Sequence, residues 1–131
     1  MAEIFDDVDV QSSYLKHLVK AVLERIRKHS ETADTLYFGK IREGLPIFEG
    51  SVTEEGTIYL NPAKLANYPD EVAQAIVAHE LAHYHLEHFR DNRCTRTMAC
   101  ENEADDLAKR WGFNVDKLRK VISIESSSKR E

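Results

Sequence analysis

The segment Ala78-His79-Glu80-Leu81-Ala82-His83 constrains this 131-residue chain more than any other feature. On a helix, at about 100° per residue, His79 and His83 stand about 40° apart on one face and one turn apart along the axis. Two imidazoles at that separation can grip a single zinc ion. Glu80 projects about 100° round from His79 and about 60° from His83. It therefore lies beside the ion, where a carboxylate can hold and deprotonate a metal-bound water. The neighbouring residues are small or aliphatic, so the helix is expected to be buried. Two buried imidazoles next to an unpaired carboxylate are costly unless a cation compensates. The segment thus predicts a buried helix that binds one zinc ion.

A catalytic zinc takes three protein ligands and keeps a fourth position for water, so a further donor is needed. His85 and His88 lie about 240° and 180° round the helix from His79 and point away from the metal face. Asp91 is too near along the chain unless the helix ends early. A better source is a third helix, about Thr97 to Trp111, which stops at Gly112. Its apolar arc is centred near Ala104, with Cys100, Leu107, Ala108 and Trp111, and Glu101 and Glu103 flank that arc on opposite sides. Periodicity alone does not choose between the two glutamates. Asp105 favours Glu101, because it follows four residues later on the same flank, so both carboxylates could face the metal helix. One could bind zinc while the other accepts the outer N–H of a ligating histidine. Ala104 and Ala108 would permit the close helix approach this needs, while Glu103 and Asp106 read as solvated.

The rest of the chain supplies the frame. From about Val10 to His29 apolar residues recur at steps of three and four, an amphipathic helix that Ser12 or Ser13 can cap; His17 and His29 fall at its edges as surface residues. Thr35–Gly39 and Gly56–Leu60 read as strands, and Leu45–Val52 as a further strand with Pro46 favouring an edge. Glu54-Glu55-Gly56 reads as a hairpin turn, and Asn61-Pro62 ends the last strand. Asp70 is the expected N-cap of the histidine-bearing helix, whose inward face carries Val72, Ala75, Ile76, His79, Ala82, His83 and Leu86. Asn114 caps a last short helix running to about Val121. The order predicts an α+β domain with a two- or three-strand antiparallel sheet.

His79-Glu80-Leu81-Ala82-His83 followed by Glu101-Asn102-Glu103-Ala104-Asp105 resembles the gluzincin metallopeptidases, which carry an H-E-x-x-H helix and a glutamate from a later helix. The pattern Glu101-x-x-Ala104-Asp105, continuing through Leu107-Ala108 to Gly112-Phe113, is similar to soluble relatives of the HtpX/CAAX-protease group. The ImmA/IrrE-like peptidases and the minigluzincins are near alternatives. The resemblance spans roughly Thr57 to Phe113. It implies a small zincin-like fold, His79, His83 and Glu101 as ligands of one zinc ion, Glu80 as general base, and Asp105 as the residue orienting a ligand. It also implies hydrolysis of peptide bonds in a peptide or protein substrate. In such peptidases an edge strand above the metal helix pairs with the substrate, a task for which Thr57, Ile58, Tyr59 and Leu60 are the candidates. The membrane helices of the HtpX-like enzymes are absent from this sequence, and no Tyr, His or Arg stands out as an oxyanion partner. The alternative function is a non-catalytic or latent zinc-binding domain acting as an interaction or regulatory module.

Length fits a single domain over residues 1–125, with Ser126 to Glu131 as a frayed tail. Lys and Arg number 18 against 23 Asp and Glu, a net charge of −5 that does not suit a nucleic-acid binder. No stretch approaches the roughly 18–20 apolar residues that cross a bilayer. The acidic start, Met1 to Asp7, reads as neither a secretory signal nor a transit peptide. Cys94 and Cys100 are expected to be reduced thiols of a cytoplasmic protein. Oligomeric state is not legible.

Overall fold

Apolar residues at helical spacing near the start of the chain produce the first helix. In the computed structural model, which describes residues 3–29, 35–44, 50–53, 55–86 and 98–121, helix α1 (Ser13–His29) buries Leu15, Leu18, Val19, Val22 and Ile26. Its start is held from two directions. Ser12 Oγ accepts the Leu15 N–H at 3.2 Å. Glu43, at the end of strand β2 (Thr35–Glu43), accepts the N–H groups of Gln11 and Ser12 at 2.9 and 2.8 Å. A carboxylate there offsets the positive end of the helix dipole.

The sheet is larger than expected and mixed in direction. The acidic start carries strand β1 (Glu3–Asp9), which the sequence reading does not anticipate. It pairs with β2 in parallel, and α1 is the crossover that parallel neighbours require. Strand β3 (Gly50–Val52) lies at the far edge and hairpins back into β4 (Thr57–Leu60), which inserts between β3 and β2. The order is β1-β2-β4-β3, with β4 parallel to β2 and antiparallel to β3. Only this last pair is antiparallel. Gly56 makes the tight turn of the hairpin at φ +85°, a conformation that glycine adopts without a Cβ penalty. Residues 45–49 and Glu54 lie outside the described residues, so the expected strand over Leu45–Val52 is described only for its last three positions.

Pairing register puts one apolar rung across all four strands. Val8 faces Ile41, Ile41 faces Ile58, and Ile58 faces Val52. Ile41 and Ile58 are fully buried, with Val8 and Val52 packed at the margins of the same cluster. Asn61 then closes the strand and caps a one-turn helix α2 (Pro62–Leu65), accepting from the N–H groups of Ala63 and Lys64. Helix α3 (Asp70–His85) follows and packs against α1, the sheet and helix α4 (Met98–Arg110). Because it is enclosed on several sides, Ala73, Val77, Ala78 and Leu81 are buried together with Val72, Ala75, Ile76, His79 and Ala82 of the face predicted from spacing, while His83 is half-buried. Leu86, expected on that face, is 39 % exposed where the helix ends. The cap also shifts by one residue: Pro69 is the N-cap and makes no side-chain bond, so Asp70 and Glu71 fill the first turn.

Helix α4 ends at a Schellman-type turn in which the Phe113 N–H reaches Ala108 O at 3.1 Å and Gly112 takes φ +93°. Asn114 Oδ1 accepts the Lys117 N–H at 3.1 Å and starts helix α5 (115–121). Among the described residues no helix is long and apolar enough to cross a membrane. The fold is thus α+β.

Candidate metal centre

Helix α3 presents His79 and His83 one turn apart, and helix α4 brings Glu101 to meet them. The close approach follows from Ala104 and Ala108, both fully buried where α4 faces the core. His79 Nε2 and His83 Nε2 are 3.0 Å apart. Glu101 Oε1 lies 3.2 Å from His79 Nε2, and Oε2 lies 2.8 Å from His83 Nε2. Donors held by one tetrahedral ion at about 2.0–2.1 Å are about 3.3 Å apart; the two Nε2 atoms, at 3.0 Å, are somewhat closer than that. His79, His83 and Glu101 therefore form a group that could hold a metal ion.

Asp105 completes the orientation of His79. Its Oδ1 accepts the His79 Nδ1–H at 2.9 Å, which leaves Nε2 facing Glu101 and His83. Arg119, from α5, grips the same carboxylate with two bonds: Nε to Oδ2 at 2.6 Å and Nη2 to Oδ1 at 2.7 Å. The guanidinium also comes within 4.0 Å of Glu101 Oε1.

Charges in this cluster are strongly coupled. Burial alone would pull the His79 imidazole down, but hydrogen bonds to Asp105 and Glu101, with the charges of Glu80 and Glu101, push it up to about 9. Burial likewise opposes ionisation of Glu101 and Asp105. The imidazoles beside Glu101, and His79 with Arg119 beside Asp105, nevertheless hold both carboxyls below the usual range. Glu80 is half-buried, and its charge reaches both His79 and Arg119. The charges of Asp105, Glu101 and Glu80 all reach the Arg119 guanidinium and hold it protonated.

The residues singled out by spacing are distributed as follows. His79, His83 and Glu101 converge, Asp105 binds His79, and Glu80 sits one residue along α3. Glu103 and Asp106 are exposed. His85 is also exposed, with its ring 6.1 Å from that of Trp111. His88 and Asp91 lie outside the described residues.

Two expectations need correcting. Thr57, Ile58, Tyr59 and Leu60 are not an edge: β4 is paired with β2 on one side and β3 on the other, so its backbone cannot take up a substrate strand. The edge on the metal side is β3, whose Gly50 is so close to Glu80 that a Cβ there would meet Glu80 Cγ at 3.0 Å. Cys100, buried one residue before Glu101, is disulfide-bonded rather than a free thiol; the one other cysteine, Cys94, lies outside the described residues.

Arg119 is the site residue that sequence spacing misses. It arrives on a helix beyond both motifs, and no periodicity links Arg119 to Asp105 fourteen positions earlier. The available signal was Asp105 itself, since a carboxylate drawn largely out of water calls for a cationic partner. No protein-family model, curated protein or solved structure matches this chain.

Proposed function

We propose that this chain is a zinc-dependent metallopeptidase of the gluzincin kind. The observation that carries the reading is the convergence of two histidine Nε2 atoms from α3 with a carboxylate from α4, beside Glu80 and the sheet edge. A donor set of two imidazoles and one carboxylate suits zinc and leaves a fourth position. Zinc bound there supplies Lewis acidity, polarising the scissile carbonyl and lowering the pKa of water toward neutrality.

The protein's own groups do the rest. Asp105 keeps the Nδ1 proton of His79 in place, so that Nε2 faces inward. Glu80 takes the proton of the attacking water and passes it to the leaving amine. An extended peptide lies along the outer edge of β3, adding a strand by backbone hydrogen bonds next to Glu80. A disulfide at Cys100 suits an oxidising compartment.

Metal analysis of the purified protein, joined to a peptide-library digest of wild type and Glu80→Gln, tests the reading. The variant should bind zinc as wild type does and lose hydrolysis by roughly 100- to 10,000-fold, the range for removal of a general base. A protein that binds zinc but cleaves nothing in either form would instead be a non-catalytic zinc domain. Equal cleavage by both forms would remove Glu80 from the mechanism.

A further inference from the structure

Asp105 is asked to hold a ligating histidine, yet a carboxylate on a short side chain turns broadly about its last torsion. A single bond to His79 would leave that torsion loose. The carboxylate is also only 14 % exposed and sits near Glu101, a second negative charge. Both problems meet one answer in Arg119. Its Nε and Nη2 donate to the two oxygens of Asp105 in a planar fork, at 2.6 and 2.7 Å, so the carboxylate plane is fixed. Oδ1 then serves both Nη2 and the His79 Nδ1–H. The chain of contacts runs from α5 through α4 to α3 and ends at the inward-facing Nε2 of His79.

We propose that Arg119 is a positioning residue of the metal centre, acting through Asp105 to fix the orientation of His79. This rests on the reading of His79, His83 and Glu101 as metal ligands. Arginine is required for geometric reasons: a lysine ammonium offers a point charge without the fork. The role also ties the last helix to the centre. Helix α5 is anchored through buried Val115 and Leu118, and Arg119 follows directly on that anchor.

The test uses the full chain and measures zinc affinity by competition with a chelator, together with the visible spectrum of the cobalt-substituted protein. Asp105→Ala should weaken zinc binding by about 10–100-fold, the usual cost of losing the group that orients a ligand. Arg119→Ala should weaken it about tenfold and shift the cobalt bands, with Arg119→Lys recovering part of both. In the Asp105→Ala background, Arg119→Ala should change affinity by less than about twofold, because the two residues act in series. Lys117→Ala, on the same helix but paired with Glu71, should leave affinity and spectrum unchanged. Additive losses from Asp105→Ala and Arg119→Ala would overturn the proposal, as would Arg119→Ala with native affinity and an unshifted spectrum. A wild-type protein that takes up neither zinc nor cobalt would instead overturn the ligand assignment beneath it. Should Arg119→Ala fail to fold, Arg119→Lys decides alone: native affinity with native cobalt bands would show that the fork is not needed.

Discussion

Stripping the protein with a chelator and then raising the pH should expose the charge that His79 carries. The imidazole is buried, 7 % exposed, and held up to about 9 by Asp105 and Glu101 against the pull of burial. Its unfolded value is near 6.5. A group whose pKa rises on folding contributes stability that is complete below the unfolded value and is lost as pH climbs through the folded one. Here that window runs from about 6.5 to about 9. A gap of about 2.5 units at about 1.36 kcal/mol each amounts to roughly 3 kcal/mol at most. Glu101 and Asp105, held below the usual carboxylate range, act in the opposite sense: their contribution is present above about pH 4 and fades as pH falls further. The stripped protein should therefore be most stable between about pH 4 and 6.5.

The same proton competes with the metal. At pH 7.5, about 1.5 units below the folded value, its displacement costs about 2 kcal/mol, or about 30-fold in apparent affinity. Zinc affinity should rise by about tenfold per pH unit from 7 toward 9 and then level off. Titration calorimetry at pH 7.5, in two buffers of different ionisation enthalpy, should report close to one proton released per ion from this residue. Asp105→Ala should reduce that release, since Asp105 makes the foremost contribution raising His79. Zinc affinity that stays flat from pH 7 to 9, with no buffer-dependent heat, would refute the reasoning, because His79 would then be neutral before the ion arrives.

Two further substitutions probe the frame. Gly50→Ala would place a methyl group 3.0 Å from Glu80 Cγ; zinc binding should be kept while kcat falls about tenfold through displacement of the base, and unchanged kcat would remove β3 from the site. Gly112→Ala combines a φ of +93° with a Cβ 2.9 Å from His29 Nε2, and should cost about 1–3 kcal/mol of stability, read as a lower urea midpoint.

The parts of the site legible in the sequence are those set by short periods. Four-residue spacing placed His79 with His83 and Glu101 with Asp105, and the Gly112 and Asn114 signals marked the end of α4 and the start of α5. Sheet direction was not legible, because it depends on which strands meet after long connections. Nothing local in Gly56–Leu60 says that β2 will lie on its second side, and that neighbour is what makes β4 an interior strand. Strand β1 was hidden by its acidic composition, although the Val8–Ile41 pairing joins it to the core. Arg119 was hidden for the same reason as β4: its partner is supplied by the packing of three helices, and no pairwise spacing encodes that.

How the core is distributed bears on what the ion would do. In small domains held together by zinc, the apolar core is too slight to fold alone, so metal removal unfolds them. In this chain α1, α3, α4 and the sheet share one cluster that runs from Val10 to Leu118 and includes Ile41, Ile58, Ala104 and Trp111. That cluster joins α3 to α4 without the ion. In the stripped protein, a proton on His79 can hold part of the charge balance in its place. Chelation should accordingly lower the melting temperature while leaving a cooperative transition, which circular dichroism can follow. On the proposed reading, an ion that the fold does without would serve chemistry rather than cohesion, with Glu80 beside it and Gly50 of the edge strand next to Glu80. Loss of all cooperative structure on chelation at pH 6 would reverse this inference and make the ion a structural link between α3 and α4.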